Sequence, residues 1–225
     1  MKITSIDTTP LKSRALLVQV TTDERVVGYG EPMNYEHGRV VSQAIADMAE
    51  YLVGRDPRDI EDHWQAIFRS SYSRQMPILL SALSGIEQAL WDIMGKWLDV
   101  PVWRLLGGAC RKRLRVYGSA GGSTPDECAM NAARKVAEGF DAIKTTPTSR
   151  ALRYIDTPAT VDEIVAKIGA MRDAVGDSVD IAIDFHRAFS PAMAIVVLRE
   201  LEPLRPMFVE EPCHPENVDA LVTVA

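Results

Sequence analysis

The chain has 225 residues, 47% hydrophobic and 25% charged, and a formal net charge of −6. This describes a soluble globular protein of one large domain or two of ordinary size, and it excludes the basic footprint that nucleic acid or an anionic membrane needs. No apolar run approaches the roughly 18 residues that span a bilayer, and the N-terminus, MKITSIDTTPLKSR, lacks the apolar core of a signal peptide.

In chain order, the first third reads as an α+β unit. Two β-rich runs, Ala15–Val20 and Val26–Gly30, flank a turn-like TTDER and predict a hairpin. Helical periodicity follows over 38–53 and 57–70. The strongest helix is predicted over 77–97, where apolar residues from Ile78 to Trp97 recur at steps of 3 and 4. Pro77 suits its first turn, and Val100–Pro101 marks its exit. A basic cluster, Arg111–Arg115, reads as a solvated linker or a dimer contact.

From residue 116 the pattern becomes strand–helix alternation. Val116–Ser119 is a short strand, and Thr124-Pro125-Asp126-Glu127 has the capping-box spacing that opens a helix to about Glu138. Asp141–Thr146 is the next strand. Thr160-Val161-Asp162-Glu163 has the same spacing and predicts a helix ending near Gly176. A strand over 179–186, a helix from Ser190–Pro191 to about Pro203, a strand over 207–212 and a helix begun at Glu216 complete the series. Such alternation predicts a parallel sheet with its site at the C-terminal ends of the strands.

Two of those strand ends carry carboxylates, Asp184 in VDIAIDFH and Glu210 in MFVEEP. Alternation puts Ala182, Asp184 and His186 on one strand face and Ile181, Ile183 and Phe185 on the other. The apolar face packs under helices, so the Asp/His face looks into a barrel or cleft. In the second strand Val209 packs outward and Glu210 points inward. Two inward carboxylates on neighbouring strands repel unless a cation lies between them, and oxygen-only donors favour Mg²⁺.

Together these segments resemble the enolase superfamily in its mandelate racemase/muconate lactonizing branch, most closely the galactonate dehydratases. The stretches that carry the likeness are TTDERVVGYGEP (21–32), SALSGIEQALWDIMGKWLDVPVWRLLGG (81–108), GFDAIK (139–144), YIDTP (154–158), AIDFH (182–186), ELEPLRPMFVEEP (200–212) and PEN (215–217). The resemblance implies an α+β capping domain over 1–115. A partial (β/α) barrel over 116–225 would follow, the first half of an enolase-type modified TIM barrel. It implies a lyase, an acid-sugar dehydratase that uses Mg²⁺ to assist removal of the proton α to a carboxylate and yields a 2-keto-3-deoxy acid. Asp184 and Glu210 match the first two metal ligands. His186 matches the catalytic acid that protonates the departing 3-hydroxyl. Lys144 matches the first lysine of a Lys-x-Lys pair whose second position is Thr146, so a racemase working through that second lysine is not expected. Lys144 and Thr146 are read as substrate-binding, with electrostatic balance of Asp184 as the other reading of Lys144. Arg187 stands where the family has a glycine.

A complete barrel takes roughly 250 residues, and 116–225 supplies four strands. The resemblance places the third ligand and the base beyond residue 225. The 225 residues alone are therefore expected to be inactive, with open sheet edges that favour association. Galactonate is the substrate expected, with another acid sugar such as mannonate, or a non-catalytic fragment, as the alternatives. A cytoplasmic homo-oligomer that binds neither nucleic acid nor membrane is expected. Cys110, Cys128 and Cys213 have no metal-like spacing and read as reduced thiols. His37 and His63 read as surface residues, His214 as loop, and Trp97, Trp103 and the methionines as core.

Overall fold

The computed structural model describes residues 1–33, 37–70, 72, 76–148 and 157–225. Part of the YIDTP stretch, residues 154–156, lies outside them. The chain divides into two compact units, Met1–Lys112 and Arg113–Ala225.

The first unit is an antiparallel sheet of β1 (Ile3–Pro10), β2 (Leu16–Thr22) and β3 (Val27–Gly30), in that order, with helices α1 (Gly38–Leu52), α2 (Ile60–Ser70), α3 (Pro77–Trp97) and α4 (Val102–Leu105). β2 alternates Leu16, Val18 and Val20 into a core shared with Ile86, Ala89, Leu90 and Ile93 of α3. α3 begins at Pro77 and ends at Trp97, as periodicity predicts, and Asp99 leaves it at φ 56.

β3 and α3 approach so closely that only glycine fits. A Cβ on Gly28 would stand 2.0 Å from the Ala89 carbonyl oxygen, and one on Gly30 2.0 Å from that of Gly85. The free edge of β3 is satisfied by side chains of α3. Asp92 accepts from Tyr29 N at 2.9 Å, Gln88 accepts from Glu31 N at 3.0 Å, and Lys96 donates to Val27 O at 2.7 Å. Gln88, Asp92 and Lys96 are four residues apart, one row of a helix face.

Four points differ from the sequence expectations, the last of them across both units. β1 carries no clear apolar alternation and was not anticipated; its pairing with β2 orders it. His63 is buried, at 3% exposure, with Nε2 bonded to Asp56 O at 2.7 Å and the ring edge-on to Tyr51. Trp97 and Trp103 are 45% and 49% exposed, and each ring carries an arginine, Arg58 and Arg104. Among the methionines Met171 is core, whereas Met33, Met76, Met130 and Met207 are exposed.

The second unit is a four-stranded parallel sheet in the order β4 (Gly118–Ser119), β5 (Ala142–Thr145), β6 (Asp180–Asp184) and β7 (Phe208–Glu210). Helices α5 (Pro125–Ala137), α6 (Pro158–Val175), α7 (Pro191–Leu201) and α8 (Val218–Val224) follow the successive strands. This is a partial (β/α) barrel. Ile143, Ile181, Ile183 and Phe185 join Ile164, Ile168, Met171 and Val197 in one apolar core.

A side chain caps each helix of this unit. Thr124 accepts from Glu127 N at 3.2 Å, while the Glu127 carboxylate reaches back to Ser123 N at 2.7 Å. α6 begins one turn earlier than predicted, because Thr157 caps it and Pro158 occupies its first position; Gly176 ends it at φ 71. Arg115 is exposed, as the solvated-linker reading expects, and it also bridges Asp141 at 3.0 Å and Asp180 at 2.7 Å, where β5 and β6 begin. All three cysteines are free. Among the described residues no helix is long and apolar enough to cross a membrane.

Candidate active site

Register brings the inward side chains together. Asp184 and Glu210 are Cα partners across β6 and β7, and Lys144 pairs with Ala182, two residues before Asp184. Because side chains two residues apart share a face, Lys144, Asp184 and Glu210 converge. The Lys144 ammonium is 2.7 Å from Asp184 Oδ2 and 2.5 Å from Glu210 Oε2. The ring of Tyr117 lies to one side, its centroid 5.8 Å from Nζ. The cation that parity demands between the carboxylates is thus supplied by the chain itself.

Burial and charge act against each other on Asp184, which is 5% exposed. Burial pushes its carboxyl up. The hydrogen bonds from Lys144 and His186 N, with the positive charges nearby, outweigh that and hold it below the usual carboxylate range. The same pairing, with Asp184 foremost and Glu210 second, raises Lys144 well above the ordinary lysine range.

His186 reaches the cluster by a route other than strand alternation. β6 ends at Asp184, and His186 and Arg187 form a turn with φ of 48 and 63. Asp184 Oδ1 accepts from His186 N at 2.9 Å and closes that turn. The imidazole folds back so that Nε2 lies 3.0 Å from Asp184 Oδ2, with the side chain 65% exposed. Left-handed backbone at Arg187 explains why a glycine is suited there. Arg187 is held by Glu211, itself at φ 45, through guanidinium bonds of 2.7 and 3.0 Å and through Arg187 N to Glu211 O at 2.8 Å.

Beside the cluster an open cleft of about 680 Å³ is lined by His186, Arg187, Ser190, His214, Glu216 and Asn217, among others. Ser190 and Asn217 are the caps of α7 and α8, so the cleft lies where strand ends meet helix N-termini. His214 is in the loop after β7, 3.3 Å from Glu216. Sequence reasoning did not single out Arg187–Glu211 as a pair, nor Ser190 and Asn217 as cleft residues. The signal for the last two was their position as helix caps. Thr146 is exposed beyond β5 and does not line the cleft.

The donor set suits a hard cation. Oxygens of two carboxylates, one from each of two adjacent strands, lie within 2.7 Å of a single point. That is about half an ångström beyond the ~2.1 Å of a Mg²⁺–oxygen bond. Among the described residues, no group of three or more His, Cys, Asp or Glu side chains is placed to hold a metal ion.

Both units of the chain match known proteins. Residues 2–107 match the mandelate racemase / muconate lactonizing enzyme N-terminal domain, and residues 127–225 match the enolase C-terminal domain-like family. A D-galactonate dehydratase from Ralstonia nicotianae is 43% identical over 225 residues, all of this chain and 59% of the relative. One from Klebsiella pneumoniae is 40% identical, over 97% of this chain and 57% of its own length. The chain thus spans somewhat under three-fifths of the length of these relatives. Among solved structures, a member of the enolase superfamily from Salmonella Typhimurium superposes with a TM-score of 0.92 at 30% identity, covering 100% of this chain and 64% of that one. An enolase from Pantoea ananatis with bound D-gluconate and Mg gives 0.87 at 30% identity, over 99% and 62%.

Proposed function

The chain belongs to the mandelate racemase/muconate lactonizing branch of the enolase superfamily, and from that premise we propose that it carries the two-carboxylate and histidine part of an acid-sugar dehydratase site. The observation that carries the reading is the convergence of Asp184 and Glu210 on one cation position, with His186 bonded to the same Asp184 oxygen that bonds Lys144. The D-galactonate dehydratase relatives make galactonate the first substrate to test, and D-gluconate in the Pantoea protein supports the wider class of sugar acids.

In this reading Asp184 and Glu210 would hold Mg²⁺, which would supply positive charge to offset the substrate carboxylate and make the proton on the neighbouring carbon easier to remove. His186 donates a proton to the departing 3-hydroxyl. Its bond to Asp184 orients the ring, and its exposure on the cleft gives substrate access to it. Lys144 is a proposed substrate contact by its charge; Thr146, proposed to contact substrate by its hydroxyl, would do so from outside the cleft.

A chimera tests the reading. Residues 1–225 are joined to the part of the Ralstonia nicotianae relative that they do not match. Mg²⁺-dependent formation of 2-keto-3-deoxygalactonate, abolished by Asp184→Asn and Glu210→Gln, is the expected result. Activity that survives both substitutions would remove the two carboxylates from the site. Gluconate and mannonate in the same assay separate the acid sugars.

A further inference from the structure

A divalent cation held by Asp184 and Glu210 and the Lys144 ammonium draw on the same two oxygens. Two cations that share both oxygens stand within a few ångströms of each other and repel. Lysine is a point charge on a flexible four-carbon stem and can withdraw. Its stem rises from β5, whereas the carboxylates belong to β6 and β7, so withdrawal disturbs neither ligand strand. The Tyr117 ring, within cation–π range of Nζ, gives the withdrawn ammonium a neighbouring seat.

We propose that Lys144 is a positioning residue, whose ammonium holds the Asp184 and Glu210 carboxylates in chelating register and competes with the divalent cation for the point between them. The inference rests on the metal reading of those carboxylates given above. It assigns Lys144 two opposed effects. Removing its charge leaves two carboxylates facing each other, which destabilises the site when no other cation is supplied. The same removal takes away the competitor, so an added cation binds more tightly. A side chain that only packs, or that only touches substrate, does neither.

The test uses the 225-residue chain and three proteins: wild type, Lys144→Met and Lys144→Arg. Mn²⁺ binding is followed by the loss of the free-ion electron paramagnetic resonance signal, and thermal unfolding is followed in EDTA and in excess Mg²⁺. Lys144→Met is expected to bind Mn²⁺ at least about tenfold more tightly than wild type. It should melt below wild type in EDTA and gain more from Mg²⁺ than wild type does. Lys144→Arg keeps the charge and should follow wild type in EDTA.

Equal or weaker Mn²⁺ binding by Lys144→Met overturns the inference and leaves the metal reading standing. Absence of Mn²⁺ binding from both wild type and Lys144→Met sinks the two together. If Lys144→Met does not fold, the wild-type ammonium resonance in a ¹⁵N-lysine spectrum, assigned by its loss in Lys144→Arg, takes its place. Mn²⁺ fixes the saturating concentration, and Mg²⁺ at that concentration should move the resonance. An unmoved resonance overturns the inference.

Discussion

His186 and Asp184 are joined twice, the backbone amide to one carboxylate oxygen at 2.9 Å and Nε2 to the other at 3.0 Å. One aspartate therefore shapes the turn that carries the histidine, aims its ring and supplies one arm of the cation position. Substitutions at 184 should be felt in all three.

Asp184→Asn should destabilise the second unit. Breaking a fully buried ion pair by removing one partner costs about 3–5 kcal/mol. Lys144 and Glu210 are partly in water, so a loss of about 2 kcal/mol is expected. Urea denaturation followed by far-UV circular dichroism measures it. A loss below ~0.5 kcal/mol would show that water screens the cluster far more than its burial suggests.

The same pair sets a pH window. Asp184 titrates below its ordinary 3.8 in the folded protein, so its contribution is complete above that value and fades as the pH falls through the lower folded value. Lys144 titrates above its ordinary 10.5, so its contribution is complete below that value and fades as the pH rises through the higher one. The stability difference between wild type and Asp184→Asn should be flat between those limits and shrink beyond either. A difference that shrinks near neutral pH would assign it to another group.

His186→Ala should leave the melting temperature nearly unchanged, because the side chain is mostly in solvent. In the chimera it should lower kcat by about 10²–10⁴-fold, the range of a general acid. A decrease confined to KM would make His186 a binding residue.

Two glycine substitutions should act in opposite directions. Gly30→Ala sets a methyl group 2.0 Å from a backbone oxygen that cannot withdraw without moving α3, and should cost about 3 kcal/mol or more. Gly169→Ala, inside α6 with nothing within 4 Å of the new Cβ, should stabilise by roughly 0.5–1 kcal/mol. Melting curves of the two variants test the pair.

The parts of this structure that were legible in the sequence are those set by local rules. Periodicity and Pro77 place α3 to the residue, and strand parity brings Asp184 and Glu210 to one point. What was missed depended on competition or on tertiary pairing. The Thr160-Val161-Asp162-Glu163 spacing that predicted the start of α6 lies inside its first turns, and Thr157 with Pro158 in the first position caps it instead. His63 was readable in principle, since Ile60, His63 and Ile67 share a helix face, but a partner for the ring cannot be named until Asp56 O is in place. His186 lies with Asp184 by way of a left-handed turn, which alternation does not describe. β1 is ordered by β2 rather than by its own pattern.

The helical row Gln88, Asp92 and Lys96 has a consequence for synthesis. β3 emerges from the ribosome 57 to 69 residues before the side chains that seal its edge. At 5–20 residues per second that interval is roughly 3–14 s, during which the open edge of β3 is free to recruit another nascent strand. Polysomes crowded on one message should therefore be the setting in which this chain misassembles. Slowing elongation between residues 31 and 88 should raise the misassembled yield even though the polypeptide produced is identical.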